Sequence, residues 1–95
     1  MSMLLDGKVI AVIGGNGLIG KETVSAIVDH GGTVVTASRS ESITSTFLDK
    51  FSAEERKRVD ATTVDVNVPE SVEKLFKDIL QRHGQCNGII NLSFP

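Results

Sequence analysis

Four glycines stand within seven residues near the start of the chain, in the segment Ile13-Gly14-Gly15-Asn16-Gly17-Leu18-Ile19-Gly20. They form the pattern GxGxxG and an overlapping GxxGxxG. Glycines at this spacing allow a tight turn off a strand, let bare backbone N–H groups approach a diphosphate, and let a helix pack closely on the strand. The positive end of that helix then holds the negative charge. The segment from Gly14 to Gly20 is therefore predicted to bind a dinucleotide; a turn that serves packing alone is the alternative.

The end of the second predicted strand reads Thr36-Ala37-Ser38-Arg39 and bears on which dinucleotide is bound. NAD sites usually place Asp or Glu about 20 residues beyond the glycines, where it accepts a hydrogen bond from the ribose 2′-hydroxyl. This stretch holds no carboxylate, and Glu41 lies too far along the turn. Ser38 can donate to a 2′-phosphate and Arg39 can neutralise it, so the residues favour NADP over NAD. The alternative for Arg39 is a solvated surface residue.

Hydrophobic periodicity predicts the elements that hold these segments. Four apolar or β-branched runs predict strands over 8–13, 33–37, 61–66 and 87–92. Apolar residues at helical spacing predict a helix over 17–30 and another that starts within 67–70 and ends at 83–84. Between them, Ile43, Phe47 and Phe51 mark one face of a further helix, followed by a separate turn over 53–58.

Strands and helices that alternate with short connections predict a parallel sheet, because each helix carries the chain back across the sheet. We predict an α/β fold, a Rossmann-like doubly wound parallel sheet in a truncated βαβαβαβ half, with strand order 3-2-1-4. Residues 1–95 are interpreted as a single NAD(P)-binding half-domain. The fourth strand, Ile89-Ile90-Asn91-Leu92, then forms an apolar edge, which predicts a homo-oligomer joined through it.

Composition excludes several other classes of function. The chain is 40% hydrophobic and 23% charged with a net charge of −2, which is typical of a globular domain and not of a disordered one. It has no basic stripe for nucleic acid. The longest apolar run, Val9–Ile13, is too short for a membrane span, and the start lacks a signal peptide, so we expect a cytoplasmic protein. The single cysteine, Cys86, predicts neither a disulfide nor a metal site.

With these features the chain resembles the short-chain dehydrogenase/reductase family over essentially its whole length. The segment Leu5-Asp6-Gly7-Lys8-Val9 resembles the family's start of the first strand, and the glycine segment resembles its cofactor loop, although Ile13 stands where many members have threonine. The resemblance implies hydride transfer between a nicotinamide cofactor and a carbonyl or alcohol substrate.

The same resemblance implies three more cofactor contacts. Asp65 and Val66 resemble the family's adenine-contacting acid and its neighbour, and capping of the next helix is the alternative for Asp65. Asn91 matches the first residue of the family's Asn-Asn-Ala-Gly stretch, which implies a ribose contact or support of the sheet.

No catalytic residue is assigned. The family uses a tyrosine, activated by a lysine and aided by a serine, to exchange a proton with the substrate, and this chain has no tyrosine. His30 and His83 lie at the C-termini of predicted helices, where imidazole suits the helix dipole. We therefore expect an NADP-preferring binding segment of an oxidoreductase that binds without catalysing. Two alternatives are a non-enzymatic α/β interaction module that self-associates through the fourth strand, and a binder of another nucleotide.

Overall fold

The computed structural model describes residues 4–14 and 18–92, which form alternating strands and helices. In chain order the elements are β1 (Val9–Ile13), α1 (Leu18–Asp29), β2 (Thr33–Ser38), α2 (Glu41–Leu48), α3 (Ala53–Arg56), β3 (Val59–Thr63), α4 (Pro69–His83) and β4 (Gly88–Asn91).

The four strands form one parallel sheet in the order β3-β2-β1-β4. In the register of this sheet, Ile13 at the end of β1 lies between Ala37 of β2 and Asn91 of β4. On the other side of β2, Ser38 pairs with Thr63 of β3. The carboxyl ends of the strands therefore lie at one edge of the sheet. The predicted α/β fold and strand order are confirmed.

Two apolar clusters cover the two faces of the sheet, because successive side chains of a strand point to opposite faces. Ala11 and Ile13 belong to the cluster that α4 covers, whereas Val12 between them belongs to the cluster that α1 and the chain after β2 cover. In the first cluster, the buried helix residues are Leu75 and Ile79. In the second cluster, the buried residues that lie outside the sheet are Val24, Ile27, Phe47 and Phe51. Burial on both faces explains why β1 is almost continuously apolar.

β4 forms an edge of the sheet and is held on β1 by the residue that precedes it. The Asn87 backbone N–H donates to the Val9 carbonyl at 2.8 Å, and the Asn87 side-chain oxygen accepts from the Val9 N–H at 2.9 Å. On the opposite side, β4 pairs with no strand of the described residues, and Ile89 is 55% exposed. An apolar edge is therefore present, and self-association through it stays a prediction.

The third strand lies earlier in the sequence than predicted. Residues 61–66 were expected, but β3 spans Val59–Thr63. After Val64, whose N–H still donates to the Ser38 carbonyl at 2.8 Å, the Asp65 N–H donates to the Ser71 hydroxyl at 2.8 Å. Because a side chain from α4 takes over the role of a neighbouring strand, the sheet ends before Asp65.

The second helix is shorter than its predicted face. It ends at Leu48, so Phe51 lies beyond it, and the side chain of Ile43 is not among those described. The turn returns the Phe51 ring to the core, where it packs edge-on against Phe47 with 5.2 Å between ring centroids. The predicted separate turn is α3, which begins with a capping box between Ser52 and Glu55.

An ion-pair cluster joins β3 to the end of α4. Arg82 donates to both carboxylate oxygens of Asp60, at 3.1 and 3.3 Å, and His83 Nε2 lies 3.2 Å from Oδ2. Partial burial raises the pKa of Asp60, but the hydrogen bonds from Arg82, His83 and the Ala61 N–H outweigh burial and hold that pKa below its ordinary value of 3.8.

This cluster is expected to make stability depend on pH in the acid range. Above pH 3.8 the carboxylate is charged in the folded and unfolded chains, and the cluster contributes fully. Below pH 3.8 the unfolded chain binds a proton before the folded chain does, so the stabilising contribution declines as the pH falls. It is gone once the pH lies below the folded-state pKa. Asp60→Asn should remove this part of the slope and about 0.2–1 kcal/mol of stability at neutral pH. Urea unfolding between pH 2.5 and 7 measures the pH dependence and the stability at neutral pH. The control is Asp49→Asn at an exposed site. An unchanged pH dependence in Asp60→Asn, or an equal change in the control, would contradict the expectation.

Candidate cofactor-binding site

The turn after β1 begins with a glycine in a conformation that side chains disfavour. Gly14 has φ +74°, in the left-handed region. Its N–H donates to the Ala37 carbonyl of β2 at 2.8 Å, which ties the start of the turn to the neighbouring strand. The segment Gly15-Asn16-Gly17 lies outside the described residues, so the predicted diphosphate contacts there stay a prediction.

The start of α1 has the charge and packing that a diphosphate requires. Its first turn carries no acidic residue, so no carboxylate of that turn opposes an anion there. Ile19 is 72% exposed, whereas Gly20 is buried, as expected for a glycine that lets helix and strand pack closely. Leu18 is the first helical residue. The described part of the glycine segment therefore fits a bound dinucleotide.

Arg39 and Ser38, at the end of β2, differ in how far their side chains are exposed. Arg39 is exposed and takes part in none of the ion pairs among the described residues. Ser38 is only 7% exposed, and its hydroxyl lies 3.2 Å from the Ser40 carbonyl and 2.5 Å from the Thr44 hydroxyl. The Thr44 hydroxyl in turn lies 2.9 Å from the same carbonyl.

In this structure the Ser38 hydroxyl has partners within its own turn, and its donation to a 2′-phosphate stays a prediction. Ser38 and Thr44 each carry one hydroxyl proton, and the acceptors within reach of both lie inside the turn. Arg39 is exposed, and its contact with a 2′-phosphate stays a prediction. Sequence reasoning missed Thr44, and its only signal was the run of hydroxyl residues after Arg39.

Asp65 and Val66 lie in the loop that leaves β3. The Asp65 carboxylate accepts from the Asn67 N–H at 3.0 Å, and its carbonyl accepts from the Val68 N–H at 3.0 Å. Val68, not Asp65, is the N-cap residue of α4, and it makes no side-chain capping bond. Asp65 thus stabilises its own turn, and the helix-capping alternative is wrong. Val66 is 41% exposed, and an adenine contact for both residues stays a prediction.

Asn91 ends β4 directly beside the end of β1. It is in register with Ile13, the residue that precedes Gly14. Each predicted site residue that the structure describes thus lies at the carboxyl end of a strand or in the segment that follows it. These residues are Gly14, Leu18, Ile19, Gly20, Ser38, Arg39, Asp65, Val66 and Asn91. Open parallel sheets bind ligands in the crevice outside these ends.

Comparison with known proteins agrees with this geometry. The model of the short chain dehydrogenase family matches residues 8–92, which include the glycine turn, Arg39, Asp65 and Asn91. The chain belongs to the short-chain dehydrogenase/reductase family. A short-chain dehydrogenase/reductase of Armillaria gallica is 33% identical over 87 residues, which are 92% of this chain and 28% of that protein.

Solved structures share the fold of this family member. The C-domain of bacterial malonyl-CoA reductase with NADP superposes with a TM-score of 0.82 and 27% identity, over 97% of this chain and 15% of that one. An actinorhodin polyketide ketoreductase with NADPH gives a TM-score of 0.82 and 23% identity, over 100% of this chain and 36% of that one. The chain thus spans about a third or less of the length of these relatives.

Neither a cluster of metal ligands nor a helix that could span a membrane occurs in the described part of the chain. In that part of the chain, no three histidine, cysteine or acidic side chains come together as metal ligands. No helix within 4–14 or 18–92 is long and apolar enough to cross a bilayer. Cys86 is a partly buried free thiol that packs against the cluster under α4.

Proposed function

We propose that this chain is the dinucleotide-binding unit of a short-chain dehydrogenase/reductase and that it prefers NADP to NAD. The observation that carries the preference is the exposed guanidinium of Arg39 at the end of β2, where an NAD site would hold a carboxylate. A 2′-phosphate pairs with such a group through forked, charge-assisted hydrogen bonds. The NADP in the malonyl-CoA reductase C-domain supports this proposal, since that chain is 27% identical to this one.

Binding is the activity proposed for residues 1–95, taken as one unit. When bound, the nicotinamide cofactor supplies the hydride that such enzymes exchange with a carbonyl or alcohol carbon. The residues of this chain would hold the cofactor: the start of α1 the diphosphate, Arg39 the 2′-phosphate, and Asp65 with Val66 the adenine. The chain has no tyrosine for proton exchange. The alternative of a non-enzymatic interaction module is not favoured, because the family match includes the glycine segment as well as the strands.

A fluorescence titration tests the proposal directly. NADPH added to the purified chain should give a saturable change in nicotinamide emission, and NADP should displace it at lower concentration than NAD. Equal displacement by NADP and NAD would overturn the preference. The absence of a saturable change up to millimolar NADPH would overturn dinucleotide binding itself.

A negative charge introduced at the start of α1 should weaken NADPH binding without lowering the free energy of unfolding. Ile19 is the second residue of α1 and is 72% exposed, so Ile19→Asp disturbs no core packing. Aspartate in a first turn favours the helix dipole, so the free energy of unfolding should hold or rise by up to about 1 kcal/mol. The same carboxylate repels a diphosphate, at about 0.6 kcal/mol for each charge 7 Å away in water, so NADPH affinity should fall about 10-fold.

The matched control is Ile19→Asn, which has nearly the same shape as the aspartate variant without its charge. It should keep NADPH affinity within about 2-fold, because neutral surface substitutions change free energies by only about 0.5 kcal/mol. The difference between the two variants should shrink in 0.5 M salt. An equal loss of affinity in both variants would show that side-chain shape, not charge, matters at Ile19.

A further inference from the structure

A pair of buried hydroxyls lies under the turn that carries Arg39. Ser38 is 7% exposed and Thr44 is 8% exposed, and their oxygens lie 2.5 Å apart. Both hydroxyls also reach the carbonyl of Ser40, at 3.2 Å from Ser38 and 2.9 Å from Thr44. The Thr44 N–H donates to the same carbonyl at 3.1 Å. One threonine is thus bonded to the residue before Arg39 and to the residue after it.

Other threonines show that this arrangement is more than an ordinary helix contact. Thr46 of the same helix donates to the Ser42 carbonyl at 2.9 Å, and Thr23 of α1 donates to the Ile19 carbonyl at 2.8 Å. Such bonds to the carbonyl four residues earlier are a common habit of threonine in helices. Among these three, Thr44 alone is buried and also contacts a strand.

We propose that Thr44 is a positioning residue for the 2′-phosphate, an inference that rests on the NADP preference proposed above. The hydroxyl of Thr44 contacts Ser38 and Ser40, the two neighbours of Arg39, and so restrains the backbone on both sides of it. The turn therefore places the backbone of Arg39 at a defined position beside the end of β2, with its side chain exposed. Ser38 acts through Thr44 within the turn, and the phosphate is met by Arg39.

Thr44→Val tests this because valine keeps the shape of threonine and replaces its hydroxyl with a methyl group. The ratio of affinities for 2′,5′-ADP and 5′-AMP, which differ by the 2′-phosphate alone, is measured by calorimetry and is the readout, since a general loss of folding lowers both affinities together. We expect Thr44→Val to lower this ratio about 5- to 10-fold, the effect of losing the geometry of one charge-assisted hydrogen bond. Thr44→Ser should restore it to within about 2-fold, because serine keeps the hydroxyl.

Thr46→Val is the matched control, since it removes a hydroxyl from the same helix without touching Ser38. It should leave the ratio unchanged. A combined variant, Ser38→Ala with Thr44→Val, removes both hydroxyls and so leaves no buried hydroxyl without a partner. It should show the same reduced ratio and keeps the test valid if the single valine variant folds poorly.

The reference variant Arg39→Ala distinguishes failure of the proposed NADP preference from failure of the proposed role of Thr44. If the parent chain shows no preference for 2′,5′-ADP, or Arg39→Ala retains that preference, the proposed NADP selectivity is wrong and the role of Thr44 is wrong with it. If Arg39→Ala abolishes the preference while Thr44→Val keeps it, only the role of Thr44 is overturned. An equal change in Thr46→Val would also overturn it.

Discussion

Replacing Arg39 with glutamate is expected to lower the affinity of the chain for NADPH about 100-fold, since a charge-assisted hydrogen-bond pair contributes up to about 3 kcal/mol. The affinity for NADH should hold or rise. A carboxylate at this place repels a 2′-phosphate, but it accepts a hydrogen bond from a ribose 2′-hydroxyl, as the acidic residue of NAD sites does. Because Arg39 is exposed, the substitution should leave the fold intact. Parallel NADPH and NADH fluorescence titrations measure the change.

The control for this prediction is Arg56→Glu, an identical change of charge at the exposed end of α3. It should change both affinities by less than about 2-fold at 0.15 M salt, because distant surface charges are screened. Losses of similar size for NADPH and NADH in Arg39→Glu would show that Arg39 does not read the 2′ position. A 100-fold NADPH loss in the control would show that net charge alone sets the affinity.

Phe47→Ala is expected to lower the free energy of unfolding by about 3–5 kcal/mol, the usual effect of removing a buried aromatic side chain. Phe47 is 2% exposed, and its ring packs edge-on against Phe51. A chain of 95 residues has about 5–14 kcal/mol of stability in total, so much of it would be lost. Urea denaturation followed by far-UV circular dichroism measures the change.

Leu80→Ala is the comparison for that variant, because Leu80 is 53% exposed on α4. It should cost less than about 1 kcal/mol, since only part of its surface is withdrawn from water. A cost below about 1 kcal/mol for Phe47→Ala would place the aromatic pair outside the core that determines stability.

The sheet could be predicted because burial leaves a clear pattern in the sequence. β1 and β2 are covered on both faces, so they appear as short apolar or β-branched runs, and α4 keeps a regular apolar stripe from Val72 to Ile79. Alternation of such runs with helices leaves few topologies, which is why the strand order was correct. The glycine segment was recognisable for a similar reason, since the backbone conformation of Gly14 restricts the residue type.

The remaining errors lie where side chains replace backbone partners. The end of β3 depends on the Ser71 hydroxyl, which lies six residues beyond Asp65 and leaves no periodic signal. Phe51 keeps the spacing of a helix face although a turn, not a helix, returns it to the core. Ser38 was predicted as a phosphate ligand from its residue type, and that stays a prediction; its contact with the Thr44 hydroxyl was missed because it depends on the path of the turn, which residue types alone do not fix.

The position of β1 between two neighbours implies an order of assembly for the sheet. β1 and β2 are joined through the single helix α1, with Val9 opposite Thr33, whereas Asn87, which anchors β4 to Val9, lies 78 residues from Val9 in the sequence. Closing the longer loop costs more chain entropy and slows folding. On a ribosome, the half of the crevice that would hold adenosine can therefore form while the half beside β4 is still being synthesised, so nascent chains should gain nucleotide affinity in two stages.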